Sequence, residues 1–413
     1  MTARIAIGSL ALLGLAALQS GCGAHAPPAP PPAPVERALT LDTHVDIPLD
    51  FATPAVDPLT ADLQANLEKM TRGGLDAAFF IVYVDQTART DEGYARAQSE
   101  ALTKFAAIHR MAEELYPDRI EIAYTAADVA RIAQAGKRVA AIGVENGFAL
   151  GRGLDMLDRY YELGARYFGL VHNGDNDLAR SAQPNRELGD PAESAAGVSE
   201  LGAQAIARLN RLGVMVDISH GSKQTALDAM RLSLAPVVAS HSSIAGVTAH
   251  TRNLDDETLR ALRDDGGVVQ IVALSTYLKA QPAERAEAQR SLRERVGLPT
   301  GSPTTLSPER RAEYDQGLRD IEARWPSATV ADLVDHVDYA VNLIGIDHVG
   351  LSSDFGGGGG ITGWNDAGET ANVTAELAAR GYSDTDIAKI WSGNLLRVWR
   401  AAEETAARLR AAP

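Results

Sequence analysis

Short, nearly uninterrupted apolar runs recur along the chain and alternate with stretches of helical periodicity. The runs are Leu39 to Leu41, Ala77 to Val84, Val139 to Val144, Tyr167 to Val171, Val214 to Ile218, Val237 to Ser240, Val268 to Val272 and Val349 to Ser352. Their shortness, and the absence of a polar residue at every second position, predict strands buried on both faces, the habit of parallel sheets. Leu333, Val337, Ala340, Val341 and Ile344 recur at helical spacing, so the segment from Val330 to Ile344 is expected to lay an apolar face on such a sheet. Eight units of this kind in series predict an α/β fold, a (β/α)8 TIM barrel, with an open doubly wound sheet as the structural alternative. Lys279 to Pro326 interrupts the rhythm. It is long, charged and rich in Arg and Glu, and reads as a helical insertion after the seventh strand, near the barrel mouth.

The beginning of the chain follows another logic. Arg4 precedes an apolar run from Ile5 to Leu18, the charged start and short hydrophobic stretch of a secretory signal and too short for a membrane span. Two cleavage sites compete, Ala24-His25-Ala26 and Ser20-Gly21-Cys22. The second resembles the end of a bacterial lipobox and makes Cys22 the lipid attachment point, although Gln19 stands where an aliphatic residue is usual. A Pro/Ala tract follows as an extended tether. The expected organisation is a signal at 1–22, a tether at 23–37 and one domain at 38–413. An exported protein of the cell envelope, anchored in the membrane by lipid and facing the periplasm, is the corresponding expectation.

Composition removes several classes of function. The chain of 413 residues carries 39 basic and 54 acidic side chains, a net charge of −15, which argues against nucleic acid as a partner. Its single cysteine excludes an intrachain disulfide framework and any metal site built from several thiolates. A bound metal must therefore be held by His, Asp and Glu. The oligomeric state is not legible, and a homodimer is left open.

In a parallel barrel the chemistry gathers at the C-terminal ends of the strands. Asp42-Thr43-His44-Val45-Asp46 follows the first run, and strand alternation points His44 and Asp46 to one side. The third, fifth, sixth and eighth runs lead into Glu145, His220, His241 and Asp354. One strand-end histidine is more often structural than a ligand, but so many at one end of different strands form a donor set suited to zinc. Glu145, with two oxygens, is expected to bridge two ions about 3.5 to 4 Å apart. His44 and Asp46 would hold one ion, His220 and His241 the other. His348 is expected at the opposite end of the barrel, His109 and His336 belong to helices, His25 lies in the tether, and His250 is undecided.

These residues occur within ordered motifs: Asp42-Thr43-His44-Val45-Asp46, Gly143-Val144-Glu145-Asn146-Gly147, Leu170-Val171-His172-Asn173, Asp217-Ile218-Ser219-His220, Ser240-His241-Ser242-Ser243, Arg252-Asn253-Leu254, and Gly345-Ile346-Asp347-His348-Val349-Gly350 running into Ser353-Asp354-Phe355. Together they resemble the membrane dipeptidase (renal dipeptidase) family, a branch of the metal-dependent amidohydrolase-like barrels, over nearly everything after the tether. The resemblance implies a binuclear zinc site with these ligands, hydrolysis of dipeptides, tolerance of a D-residue at the C-terminal position, and substrate contacts from His172 and Arg252. Asn146 departs from the glycine usual after the glutamate, and Thr43 and Val45 vary the first motif.

The implied chemistry is attack on the peptide carbonyl by a water that bridges two zinc ions and is a hydroxide near neutral pH. His172 would stabilise the developing oxyanion. Asp354 would move the proton from nucleophile to leaving amine, its alternatives being a further ligand or a structural acid. Arg252 presents a planar fork matching a free carboxylate, a surface salt bridge being its bland alternative. Two other classes stay open from sequence: a metal-dependent hydrolase of a lactone, phosphotriester or cyclic amide, and a non-enzymatic lipoprotein that retains the barrel.

Overall fold

The computed structural model describes residues 38–192, 196–298 and 306–411; the expected signal at 1–22 with Cys22, and the tether at 23–37, lie outside the described residues. Among the described residues there are nine parallel strands: β1 (Leu41–Asp46), β2 (Ala77–Tyr83), β3 (Ile120–Ile122), β4 (Arg138–Glu145), β5 (Ala165–Gly169), β6 (Met215–Asp217), β7 (Val238–Ser242), β8 (Val268–Val272) and β9 (Val349–Ser352). The order is β1-β2-β4-β5-β6-β7-β8-β9, with β3 attached to β4. The end of the sheet returns to its beginning, because the Asp354 amide donates to the His44 carbonyl at 3.1 Å and the Asp46 amide to the Phe355 carbonyl at 2.7 Å. Eight strands thus make a nearly closed barrel, whereas an open doubly wound sheet would leave these edges apart.

The apolar pattern missed only β3 among the described strands. At three residues it is too short to produce a periodic signal. It pairs with the start of β4, Ile120 beside Arg138 and Ile122 beside Ala140, while β5 pairs only from Ile142 onward. A short strand therefore completes the flank of β4 that β5 leaves open.

Alternation sorts the strand residues between two cores. Phe79, Ile81, Val139, Ala141, Tyr167, Met215, Val238 and Val268 form one with Trp399 of the helix Asn394–Ala411, whereas Phe80, Val82, Ala140 and Ile142 pack with the surrounding helices. The first is the barrel interior, a filled core rather than a pore. Burying one such aromatic side chain contributes roughly 1.5 to 3 kcal/mol. A line of rings rises through it: Trp399 lies 5.5 Å from Phe79, and Phe79 5.0 Å from Tyr167. Gly143 permits this packing, since a Cβ there would meet the Tyr167 ring at 2.3 Å.

The helix Val330–Ile344 buries Leu333, Val337, Ala340 and Ile344, as its periodicity predicts, and begins with a reciprocal Thr329–Asp332 capping box. After β8 come helices Ser275–Leu278, Ala283–Arg295 and Pro308–Arg324. The last two share a small core of Leu292, Val296, Leu298, Tyr314 and Ile321, the expected insertion. No helix among the described residues is long and apolar enough to cross a membrane.

Candidate metal centre

The C-terminal ends of the strands bring the expected residues together. His44 and Asp46 belong to β1, Glu145 ends β4, and His241 lies in β7, while His220 follows β6 and Asp354 follows β9 by short turns. In β1 the ladder with β2 is irregular between Asp42 and Val45, a bulge of the kind that re-aims side chains at active sites. His44 Nε2 lies 3.3 Å from Asp46 Oδ2 and 3.4 Å from Glu145 Oε2. The other oxygen, Glu145 Oε1, lies 3.1 Å from His220 Nε2 and 3.3 Å from His241 Nε2. One carboxylate therefore faces two sets of histidines with different oxygens. Non-glycine residues with positive φ cluster here: Asn146 at 76°, His220 at 64° and Asp354 at 58°. Backbone strain of this sort persists where the surroundings over-determine it.

Asn146 shows how such a conformation is held. Its Oδ1 accepts from the Phe148 amide and from Asn176 Nδ2, and its Nδ2 donates to the Val84 carbonyl, each at 3.1 Å. Asparagine tolerates positive φ better than most residues, so the departure from glycine keeps the turn after Glu145.

The hydrogen bonds behind the histidines fix which nitrogen faces the centre. Tyr167 Oη donates to the Thr43 carbonyl at 3.2 Å and lies 2.9 Å from His44 Nδ1, which must then donate to it. His220 Nδ1 donates to Asn173 Oδ1 at 3.0 Å. Ser240 Oγ donates to Asp217 Oδ2 at 2.7 Å, so His241 Nδ1, 2.8 Å away, donates to the hydroxyl. The rings of His220 and His241 consequently turn an unprotonated Nε2 inward, where the two stand 2.9 Å apart beside a carboxylate, and His44, its Nδ1 engaged by Tyr167, aims its Nε2 at the same centre. Two lone pairs and an anion in one buried space repel each other unless a cation lies among them. His44 Nε2 is likewise buried without a hydrogen-bond partner. The donor set fits divalent metal: His44, Glu145 and His241 form one convergent group, Glu145, His172 and His220 a second, and His44, Asp46 and Asp354 a third.

Burial and neighbouring charges set the protonation of the metal-free centre. Burial pushes His220 and His241 well below the ordinary imidazole range, keeping them in the neutral, ligating form. For His44, burial acts downward, but the Glu145 and Asp46 carboxylates outweigh it and raise the ring well above that range. Burial acts upward on Glu145, yet the surrounding histidines hold it well below the usual carboxylate range. Asp354 goes the other way: burial, with Asp46 and Glu145 nearby, raises it well above. Burial also lowers His172.

Over this centre opens a cleft of about 190 Å³. His172 lines it, with Nε2 4.0 Å from Glu145 Oε1. Tyr83, Asn173, Leu274, Tyr277 and Gly357 also line it and were not singled out by sequence. Tyr83 ends β2 and Asn173 sits inside a motif, but Tyr277 gave no signal, being placed by the short helix Ser275–Leu278 after β8. Arg252 is 2% exposed, lies behind this wall 5.6 Å from the Tyr277 ring, and donates through Nη2 to the His241 carbonyl at 3.1 Å. Its Nε has no hydrogen-bond partner. The surface salt bridge is thereby excluded for Arg252. His250 packs against Tyr277 with its ring tilted and accepts from the Arg252 amide, a packing role. His348 bonds the Gly267 carbonyl at the far end of the barrel, and His336 is a buried link between Leu278 and Ile244. His109 lies in a helix and bonds Glu113 and the Leu163 carbonyl.

A barrel with histidines and carboxylates converging at its C-terminal mouth defines a metal-dependent hydrolase of the amidohydrolase type. The chain belongs to the membrane dipeptidase family, peptidase family M19, whose model matches residues 34–413. A dipeptidase of Claviceps purpurea, tcpJ, is 30% identical over 355 residues, covering 84% of this chain and 72% of its own. The crystal structure of PvdM, a probable dipeptidase from Pseudomonas aeruginosa, superposes with a TM-score of 0.78 at 36% identity, covering 90% of this chain and 96% of its own. A metallopeptidase of Rhodobacter sphaeroides, solved with a phosphinate mimic of the dipeptide L-Ala-D-Ala, gives a TM-score of 0.70 at 25% identity, covering 89% of this chain and 100% of its own. The protein is a metal-dependent dipeptidase, a hydrolase. Neither the other hydrolase substrates nor the non-enzymatic alternative left open by sequence is retained.

Proposed function

We propose that the protein is a binuclear zinc dipeptidase whose substrates include L-Xaa-D-Xaa, exported and held at the periplasmic face of the membrane by a lipid on Cys22. The carrying observation is Glu145, one oxygen turned to His44 and the other to His220 and His241. In this reading His44 and Asp46 would hold one ion, His220 and His241 the other, and Glu145 would serve both. Two ions so held supply an activated water and a Lewis acid for the scissile carbonyl. His172, neutral at working pH, offers an N–H from the cleft wall to the oxygen that gains charge. Asp354, aligned by the hydrogen bond that its backbone N–H donates to the His44 carbonyl, takes the nucleophile's proton and returns it to the leaving amine. Arg252, buried with an unpartnered Nε beside Tyr277, is the cation toward which the substrate's C-terminal carboxylate turns. The phosphinate ligand of the Rhodobacter sphaeroides relative mimics an L,D dipeptide, which supports that stereochemistry here.

The test is metal analysis of the zinc-reconstituted chain together with a panel of L,L and L,D dipeptides. Two zinc ions per chain and turnover of L,D substrates are expected. Fewer than two ions per chain, or cleavage confined to L,L dipeptides, overturns the corresponding half of the reading. For the address, globomycin-sensitive processing and labelling by a fatty-acid probe should both vanish in Cys22→Ala; unchanged labelling refutes the lipid anchor.

A further inference from the structure

Among the paired strands of the barrel, β6 and β7 share the shortest ladder. β6 has three residues, and its register with β7 is a single pair, Asp217 beside Val238. Yet the two strands lead to His220 and His241, whose Nε2 atoms must stand at a set separation. Where the ladder stops, the Asp217 side chain continues it. Its Oδ1 accepts from the Ser219 amide at 3.0 Å and the Ser240 amide at 2.9 Å, and its Oδ2 accepts from Ser240 Oγ at 2.7 Å. The Ser219 hydroxyl in turn accepts from the His241 amide at 3.0 Å. Asp217 is 1% exposed and lines no part of the cleft, so it does not touch substrate.

We infer that Asp217 is a positioning residue that, through Ser240, selects the His241 tautomer with a free Nε2 and spaces His220 from His241, and so governs occupancy of the ion these two histidines hold. This rests on the two-ion reading above. The hydroxyl has one proton. While it goes to the carboxylate, His241 Nδ1 must be the donor and Nε2 the ligand. An amide at position 217 reverses the relay. Its NH₂ group donates to Ser240 Oγ, the hydroxyl proton turns to His241 Nδ1, and the imidazole proton moves to Nε2, where it blocks coordination.

The experiment is zinc titration of the full chain against a chromophoric chelator, with total metal counted after dialysis. Wild type should hold two ions. Asp217→Asn should keep one and bind the other at least 10-fold more weakly, the lower end of what supporting hydrogen bonds typically contribute to metal affinity. Adding Ser240→Ala to Asp217→Asn removes the hydroxyl that enforces the wrong tautomer, so the double variant should regain part of the lost affinity. A merely structural role predicts a further loss instead. Should Asp217→Asn fail to fold, Ser240→Ala alone must weaken one ion and not both. Two ions in wild type with unchanged affinity in Asp217→Asn, or a double variant worse than the single, overturns the inference. Fewer than two ions in wild type overturns the two-ion reading instead.

Discussion

Replacing Asp354 by Asn separates chemistry from architecture at this site. The residue sits at φ 58°, a conformation that costs most side chains about 1 to 2 kcal/mol but that Asn, like Asp, adopts readily. The exchange therefore keeps shape and backbone, whereas Asp354→Ala would mix strain with lost function. In its proposed role of general acid/base, Asp354 would contribute about 100- to 10,000-fold in rate, equivalent to about 2.7 to 5.4 kcal/mol of activation free energy. kcat should fall by that factor with KM little changed and metal content intact. A second consequence belongs to the metal-free protein. Burial raises the carboxyl well above its ordinary range, so between the unfolded and folded pKa values the native state holds a proton that the unfolded chain has lost. Stability then falls as pH rises through that window. Asp354→Asn removes the titration, and the chelated variant should melt above chelated wild type at pH 8, with the gap closing toward pH 4. The assays are steady-state kinetics, metal analysis and thermal melts with chelator at both pH values. Loss of an ion would make Asp354 a ligand, as its grouping with His44 and Asp46 allows; unchanged kcat with intact metal would refute its role as proton carrier.

Glu145→Gln should lower occupancy of both ions, because one carboxylate serves both histidine sets, while His44→Ala should chiefly empty one; equal patterns in metal analysis would contradict the bridge. Arg252→Met should raise KM for a dipeptide by about 10- to 100-fold, since a charge-assisted bond is typically about 1.5 to 3 kcal/mol, and should be nearly indifferent to amidation of the substrate's C-terminus. If wild type and variant discriminate equally between acid and amide, Arg252 is not the carboxylate reader. Asn146→Ala should destabilise the chelated protein more than Asn146→Gly by about 1 to 2 kcal/mol in urea unfolding, the cost of positive φ for a residue with a Cβ; equal midpoints would show that only the three side-chain hydrogen bonds matter.

Much of this protein was readable before any coordinates. The barrel was legible because strands buried on both faces must be apolar throughout, so their positions survive as bare runs such as Ala77–Tyr83 and Val268–Val272. The donor set was legible because a parallel barrel sends every strand end to one mouth, which makes one-dimensional positions nearly equivalent to three-dimensional ones. What sequence could not supply depends on contacts between distant segments. The run Leu39 to Leu41 stopped at the first polar residue, yet β1 continues to Asp46, because backbone pairing with β2 does not depend on apolar side chains. The burial of Arg252 behind Tyr277 is decided by how the short helix Ser275–Leu278 after β8 lies against the loop after β7. The roles of Tyr167 and Asp217 are likewise tertiary. Each is an ordinary residue in its own strand, and only the approach of a histidine from another strand, directly to Tyr167 beside the missing Cβ of Gly143 and through the Ser240 hydroxyl to Asp217, lets a hydroxyl or a carboxylate bear on which nitrogen faces the centre.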